Sequence, residues 1–173
     1  MRLLCYNEKS LEKGRLVLKI LLTAFKGTSS ERLIQCFDSN YDKLVMENDK
    51  RKSEQQLIEM LEKSCYDLVL SFGQRPVMKN KLCIETCAME GERIIGTRVD
   101  CSVLMRNFAE CGLDVKLSNN AGTSFCNNIY RFGLLSLEKS DTHMVFIHIP
   151  FEKNISDFDE FAEKVKNAVS RGL

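Results

Sequence analysis

Short apolar runs alternate with amphipathic stretches along most of the chain, the pattern of βαβ units around a largely parallel sheet. Leu16–Thr23 (LVLKILLT) reads as a first buried strand, and Thr28–Phe37 as a helix capped by Ser29 or Ser30. Tyr41–Met46 is taken as a second strand, with a charged loop over Glu47–Lys52. In Ser53–Ser64, Leu57, Leu61 and Cys65 line one helical face, and Ser53 with Gln56 forms a capping box. Tyr66–Phe72 is a strand running into a turn, Gly73-Gln74-Arg75-Pro76. Lys81–Met89 alternates apolar and polar residues, as a half-buried strand does.

The remainder continues the pattern. Cys101–Cys111 is a helix stopped by Gly112, and Val115–Ser118 is a short strand. Ser124–Leu137 is a helix, and Met144–Ile149 a late buried strand. The last helix starts at Ser156 and turns Phe158, Phe161, Ala162, Val165 and Val169 inward. The fold class that follows is α/β, organised as one domain over residues 16–173. Residues 1–15 form an N-terminal segment of open role.

Composition narrows the class of function. The chain has 173 residues, 44% hydrophobic and 28% charged, with a net charge of +1. That near-neutral balance argues against a nucleic-acid partner. No apolar run reaches the length of a membrane span, and Leu16–Phe25 carries Lys19 and lacks a small-residue cleavage site. Eight cysteines are present, mostly inside apolar or periodic segments. They read as reduced thiols of a cytoplasmic protein. Cys83 and Cys87 lie four apart and only two histidines occur, so a metal site is not expected.

One segment has the makings of a reactive centre. In SNNAGTSFCNNIY (Ser118–Tyr130) a short strand ends, a glycine-containing loop follows, and Cys126 falls in the first turn of a helix. Unpaired N–H groups and the positive dipole end there favour a thiolate, which predicts a lowered thiol pKa. The same N–H groups can donate to an oxyanion. Position alone leaves open a small residue packed at a helix start. His148 interrupts the apolar strand MVFIHIP at its carboxyl end, where open α/β sheets place their sites, although a lone histidine there also suits a core. Together Cys126 and His148 would make the minimal unit of thiol activation. Glu85 could orient the imidazole or simply face solvent from an alternating strand. His143, beside Asp141, reads as a surface residue.

These segments resemble the pyroglutamyl peptidase I family of cysteine peptidases. SNNAGTSFCNNIY is similar to the family's SNxAGTxxCN motif, and FIHIP to its FxHxP motif. IETCA resembles the ExxA segment of the catalytic acid, LSFGQ a GQ segment, and LLTAF the start of an LLTGFxPFG loop. The resemblance implies a three-layer α/β/α sandwich, self-association as dimers or tetramers, and cofactor-free release of pyroglutamate (5-oxoproline) from the N-terminus of peptides. Cys126 would be the nucleophile, His148 the base and Glu85 its partner; Phe25 would pack on the substrate ring and Gln74 would lie near it. Arg75 and Arg93 are candidate oxyanion donors. After Phe25 the chain departs from the family, reading KGTSSERLI, so a second aromatic and an asparagine of the substrate loop are missing. GQxGGR is replaced by Gly73-Gln74-Arg75-Pro76, and Glu90 stands where the family has asparagine. These departures fall on substrate recognition. They leave open an amidase for another small amide, or a retired relative acting as a binding module.

Overall fold

The computed structural model describes residues 18–171, with the backbone of two short strands before them, β1 (Leu11–Glu12) and β2 (Arg15–Leu16). The further strands are β3 (Ile20–Phe25), β4 (Asp42–Met46), β5 (Leu68–Arg75), β6 (Lys81–Glu85), β7 (Cys87–Glu90), β8 (Arg93–Gly96), β9 (Asp114–Ser118) and β10 (His143–Pro150). The helices are α1 (Ser29–Gln35), α2 (Lys50–Lys63), α3 (Cys101–Glu110), α4 (Phe125–Ser136) and α5 (Phe158–Ser170). Six strands form one sheet in the order β4-β3-β5-β10-β6-β9. All neighbours in it are parallel except β6 and β10.

The expected three-layer sandwich follows from strand alternation, because successive residues of a strand face opposite layers. Ile20, Leu22 and Ala24, Leu68, Leu70 and Phe72, Leu82 and Ile84, and Val145, Ile147 and Ile149 all point into one core. Leu33 and Ile34 of α1, Leu104 and Phe108 of α3, and Phe161 and Val165 of α5 close it. The opposite face buries Leu21, Phe25, Val69, Met144 and Phe146 against Leu57 and Leu61 of α2 and Ile129 and Tyr130 of α4. Each fully buried side chain of this size contributes ~1.5–3 kcal/mol over an exposed one.

Several boundaries differ from the sequence expectation. The first sheet strand is β3, four residues later than Leu16; Arg15–Leu16 pairs instead with Leu11–Glu12. Thr28, not Ser29 or Ser30, caps α1. Asp49 caps α2, accepting from Lys52 N–H at 2.8 Å, so the charged loop already holds the helix start and Ser53 lies inside it. Gln56 accepts from Glu47 N–H instead of closing a box. The supposed turn at Gly73 is strand: β5 runs on to Arg75, paired with β10 as far as Pro150. Lys81–Met89 splits into two strands because Thr86 leaves the ladder, its N–H donating to Ser118 O at 2.7 Å. β7 then turns at Gly91, with φ +61°, and pairs with β8, which has no expected counterpart. Asp157 rather than Ser156 caps α5. His143, expected on a surface loop, is the half-buried first residue of β10.

Candidate active site

Alternation also decides which side chains can meet. On β5, Val69 belongs to the core under α2 and α4, so Ser71, Gly73 and Arg75 share its face. On β10, Phe146 and His148 share that face; on β6, Cys83 and Glu85 lie opposite Leu82 and Ile84 and so share it too. α4 crosses the same face, and there Cys126 meets the strands. An ideal Cβ built on Gly73 would lie 3.0 Å from the Cys126 sulfur and 2.6 Å from the Phe146 ring. Glycine is needed at position 73 because the sulfur and the ring occupy the space of a side chain.

His148 and Glu85 form a buried couple. Their exposures are 4% and 0%, and Nδ1 stands 2.8 Å from Oε1. A carboxylate can only accept, so Nδ1 carries the proton and a neutral ring keeps Nε2 as an open base. The sequence left Glu85 open between this place and an exposed face; it is fully buried. Burial alone would raise the Glu85 carboxyl. The bond from His148, with Ser118 and Cys83 facing the group, holds it below its ordinary value instead. Among the described residues, Oε2 has no hydrogen-bond partner.

Cys126 departs from the expectation. It lies in the first turn of α4, but burial pushes its thiol up to about 11, and the charge of Glu85 adds to the rise. Its own N–H and the charge of Arg75 oppose the shift without cancelling it. The dipole argument is outweighed because the sulfur packs against Gly73 of the sheet, where desolvation of a thiolate exceeds what a helix end supplies. Among the described residues, no hydrogen bond links the sulfur to His148. No side chain caps the start of α4 at Ser124, so the N–H groups of its first turn are not taken up by a cap.

Three groups hold this arrangement. Tyr130 Oη donates to Glu85 O at 2.8 Å, tying α4 to the strand that carries the acid. Asn127 clasps Met89 on β7, accepting from its N–H at 2.8 Å and donating to its carbonyl at 2.9 Å. Asn128 donates to Glu54 on α2 at 2.7 Å. The polar pair after Cys126 thus anchors the helix that carries it. Arg75 reaches Glu85 Oε1 and Asn120 O, each at 3.4 Å.

The substrate-side candidates divide. Phe25 is buried on the reactive face, and its ring lies 6.1 Å from that of Phe125, the residue before Cys126. Phe125 is 38% exposed, so it presents an aromatic surface backed by Phe25 at the start of α4. Sequence reading missed Phe125; its place immediately before the candidate nucleophile was the available signal. Gln74 points to the opposite face, where its Oε1 accepts from Ser29 N–H at 3.2 Å and Ser29 Oγ at 3.3 Å. There it lines an open cleft of about 730 Å³ with Thr28, Arg32 and Phe151. Arg93 lies on β8, paired with Glu90 at 3.5 Å, apart from the couple. Among the described residues, no three His, Cys, Asp or Glu side chains gather to hold a metal ion.

This is an α/β/α sandwich in which a half-buried cysteine shares one sheet face with a buried histidine and glutamate. No family model matches the chain. A pyrrolidone-carboxylate peptidase of Thermosipho melanesiensis is 24% identical, over 79% of this chain and 85% of the relative. Pyrrolidone carboxyl peptidase from Thermococcus litoralis superposes with a TM-score of 0.76 at 16% identity, covering 89% of this chain and 92% of the other. Pyroglutamyl peptidase I of Bacillus amyloliquefaciens gives 0.72 at 18%, covering 88% and 95%. In sequence and fold the chain is similar to the pyroglutamyl peptidases, as a divergent relative.

Proposed function

We propose that the chain is a cysteine peptidase that releases pyroglutamate from the N-terminus of peptides. The observation that carries the reading is the buried His148–Glu85 couple on the same face as the Cys126 sulfur. The pyrrolidone-carboxylate peptidase names of the relatives support the substrate. The Phe25–Phe125 pair supports it further, offering an aromatic surface in place of the missing loop.

In this mechanism Cys126 is a neutral thiol at rest. As the sulfur attacks the pyroglutamyl carbonyl carbon, its proton passes to Nε2 of His148. Glu85 holds the ring in that tautomer and stabilises the imidazolium. N–H groups of the first turn of α4 receive the oxyanion. His148 then returns the proton to the departing amine, leaving a thioester. Water attacks the thioester, giving its proton to His148, and pyroglutamate leaves as the thiol re-forms. Gln74 steadies the start of α1, which follows directly on the Phe25 strand. The seven free cysteines among the described residues suit a reducing cytoplasm, and no described helix is long and apolar enough to cross a membrane. Self-association as a dimer or tetramer is part of the same reading.

The test is hydrolysis of a fluorogenic pyroglutamyl amide by the reduced protein and by Cys126→Ala. Release that disappears in the variant is expected; release that persists, or none from the parent, would overturn the reading. The raised Cys126 thiol favours a second reading, a relative that binds such ligands without cleaving them. That reading predicts saturable pyroglutamyl-peptide binding with no turnover.

A further inference from the structure

Across the sheet the reactive face has a fixed order. Phe25 lies on β3, Gly73 beneath the sulfur on β5, His148 on β10 and Glu85 on β6. One strand remains beyond the acid, β9. Lys81, Cys83 and Glu85 of β6 pair with Asp114, Lys116 and Ser118 of β9, so these side chains also lie on the reactive face. An open cavity of about 340 Å³ sits there, lined by Arg75, Val77, Met78, Lys79, Lys81, Asp114 and Lys116.

The lining holds four cations and one carboxylate. Asp114 is taken by Lys81 at 3.1 Å. Neither Lys79 nor Lys116 has an ion-pair partner among the described residues. Arg75 joins this cavity to the couple through its 3.4 Å contact with Glu85. Its charge is also felt at the Cys126 sulfur. The cavity is far more cationic than a chain with a net charge of +1 would offer at random.

Resting on the proposed peptidase reading, we infer that this cavity receives the leaving side of the substrate and selects peptides that are acidic there. The aromatic pair takes the ring on the β3 side of the sulfur. His148 protonates the departing amine on the other side, so the rest of the peptide runs towards β6 and β9. Two strand spacings from β10 to β9 span ~10 Å. Extended chain covers that distance in about three residues. The second and third residues after pyroglutamate therefore reach the lysines, while Val77, 83% exposed, gives their stems an apolar rim.

The experiment uses four amidated peptides: pyroglutamyl-Ala-Glu-Glu, its Gln-Gln and Lys-Lys counterparts, and pyroglutamyl-Ala alone. With the whole protein at low salt, kcat/KM for the Glu-Glu peptide is expected to exceed that for Gln-Gln about tenfold, the effect of two partly screened charge contacts. The Lys-Lys peptide should fall below both. The ratio should shrink in 0.5 M salt, on the order of a threefold preference remaining. It should vanish or invert in the double variant Lys79→Glu, Lys116→Glu. Equal rates for the acidic and neutral peptides, or a preference that survives the double variant, would overturn the inference. Cleavage of pyroglutamyl-Ala reports the peptidase reading separately. If no peptide is cleaved, that reading fails, and calorimetric binding of the same three longer peptides decides the cavity. Tighter, salt-sensitive binding of Glu-Glu keeps it, and equal or absent binding removes it.

Discussion

Where the strands face α1, α3 and α5, every buried side chain they carry is apolar, from Ile20 and Leu22 through Leu70, Phe72 and Ile84 to Ile147 and Ile149. Where they face α2 and α4, the buried set includes Thr23, Ser71, Glu85 and His148 among Leu21, Val69 and Phe146. Thr23 and Ser71 satisfy each other at 2.7 Å and ask nothing further. Glu85 and His148 are an ionisable couple, held to each other at 2.8 Å with Arg75 3.4 Å from the same carboxylate oxygen. Burying an ionisable couple costs desolvation that an apolar pair of the same size does not. One face is therefore apolar packing throughout, and the other carries the polar groups on which the proposed chemistry rests.

The largest effects should separate the faces. His148→Ala should lower kcat/KM on a pyroglutamyl amide by ~10²–10⁴-fold while leaving the protein folded. Leu70→Ala, on the other face, should cost ~2–5 kcal/mol of stability through the cavity it leaves. Its surviving folded fraction should turn over at the parent rate. Denaturant melts and kinetics on both variants test this. A Leu70→Ala protein that is stable but slow would mean that the two faces are coupled.

Next in size is Gly73→Ala. The added methyl would lie 2.6 Å from the Phe146 ring, a distance no real Cβ tolerates, so the ring must move; the Cys126 sulfur, 3.0 Å away, must yield with it. Displacing the nucleophile by about an ångström costs on the order of 10²-fold in rate. The expected result is a folded protein with that loss. Unchanged kcat would mean the ring alone yields and the sulfur keeps its position.

A smaller effect follows from burial of the thiol. Because Cys126 is held protonated well above its ordinary range, thiolate is scarce at neutral pH and grows as pH rises towards about 11. Alkylation of Cys126 by iodoacetamide, followed by peptide mass spectrometry, should be slow at pH 7. It should increase ~tenfold per pH unit above that, since each unit multiplies the thiolate tenfold. A midpoint below that of an ordinary cysteine would restore the helix-dipole account and show that the sulfur is better solvated than its packing implies.

The sandwich and the candidates Cys126 and His148 were legible in the sequence, whereas Glu85 stayed open between this site and an exposed face. Apolar runs and amphipathic helices repeat at fixed periods, and the SNNAGTSFC and FIHIP segments carry their residues close together. What escaped depended on three-dimensional proximity. Asp49 and Asp157 were passed over as caps because neighbouring serines, Ser53 and Ser156, fit the same rule. β8 was missed because Arg93-Ile94-Ile95-Gly96 is short and exposed, without the alternation of a half-buried strand. The thiol was misjudged because a helix position reports the dipole but not the depth of packing over the residue. Gln74 and Arg75 are adjacent in sequence, yet continuation of β5 through them sends one to each face. Arg75 thereby joins the couple, and Gln74 turns to α1.

The smallest predicted effect bears on how the missing substrate loop is replaced. Phe125 is 38% exposed where Phe25 is buried, and its ring leans on Phe25 at 57°. An aromatic pair of this kind is worth ~0.5–1.5 kcal/mol beyond its buried area. If the pyroglutamyl ring rests on this surface, Phe125→Ala should raise KM about three- to tenfold. The effect on kcat should be slight, since the side chain touches no proton in transit. Phe125→Tyr should restore KM, because a phenol keeps the face of the ring. A fall in kcat at unchanged KM would mean that Phe125 holds Cys126 in place through the turn they share. The surface would then belong to the packing of α4, and recognition of the ring would rest on Phe25 alone.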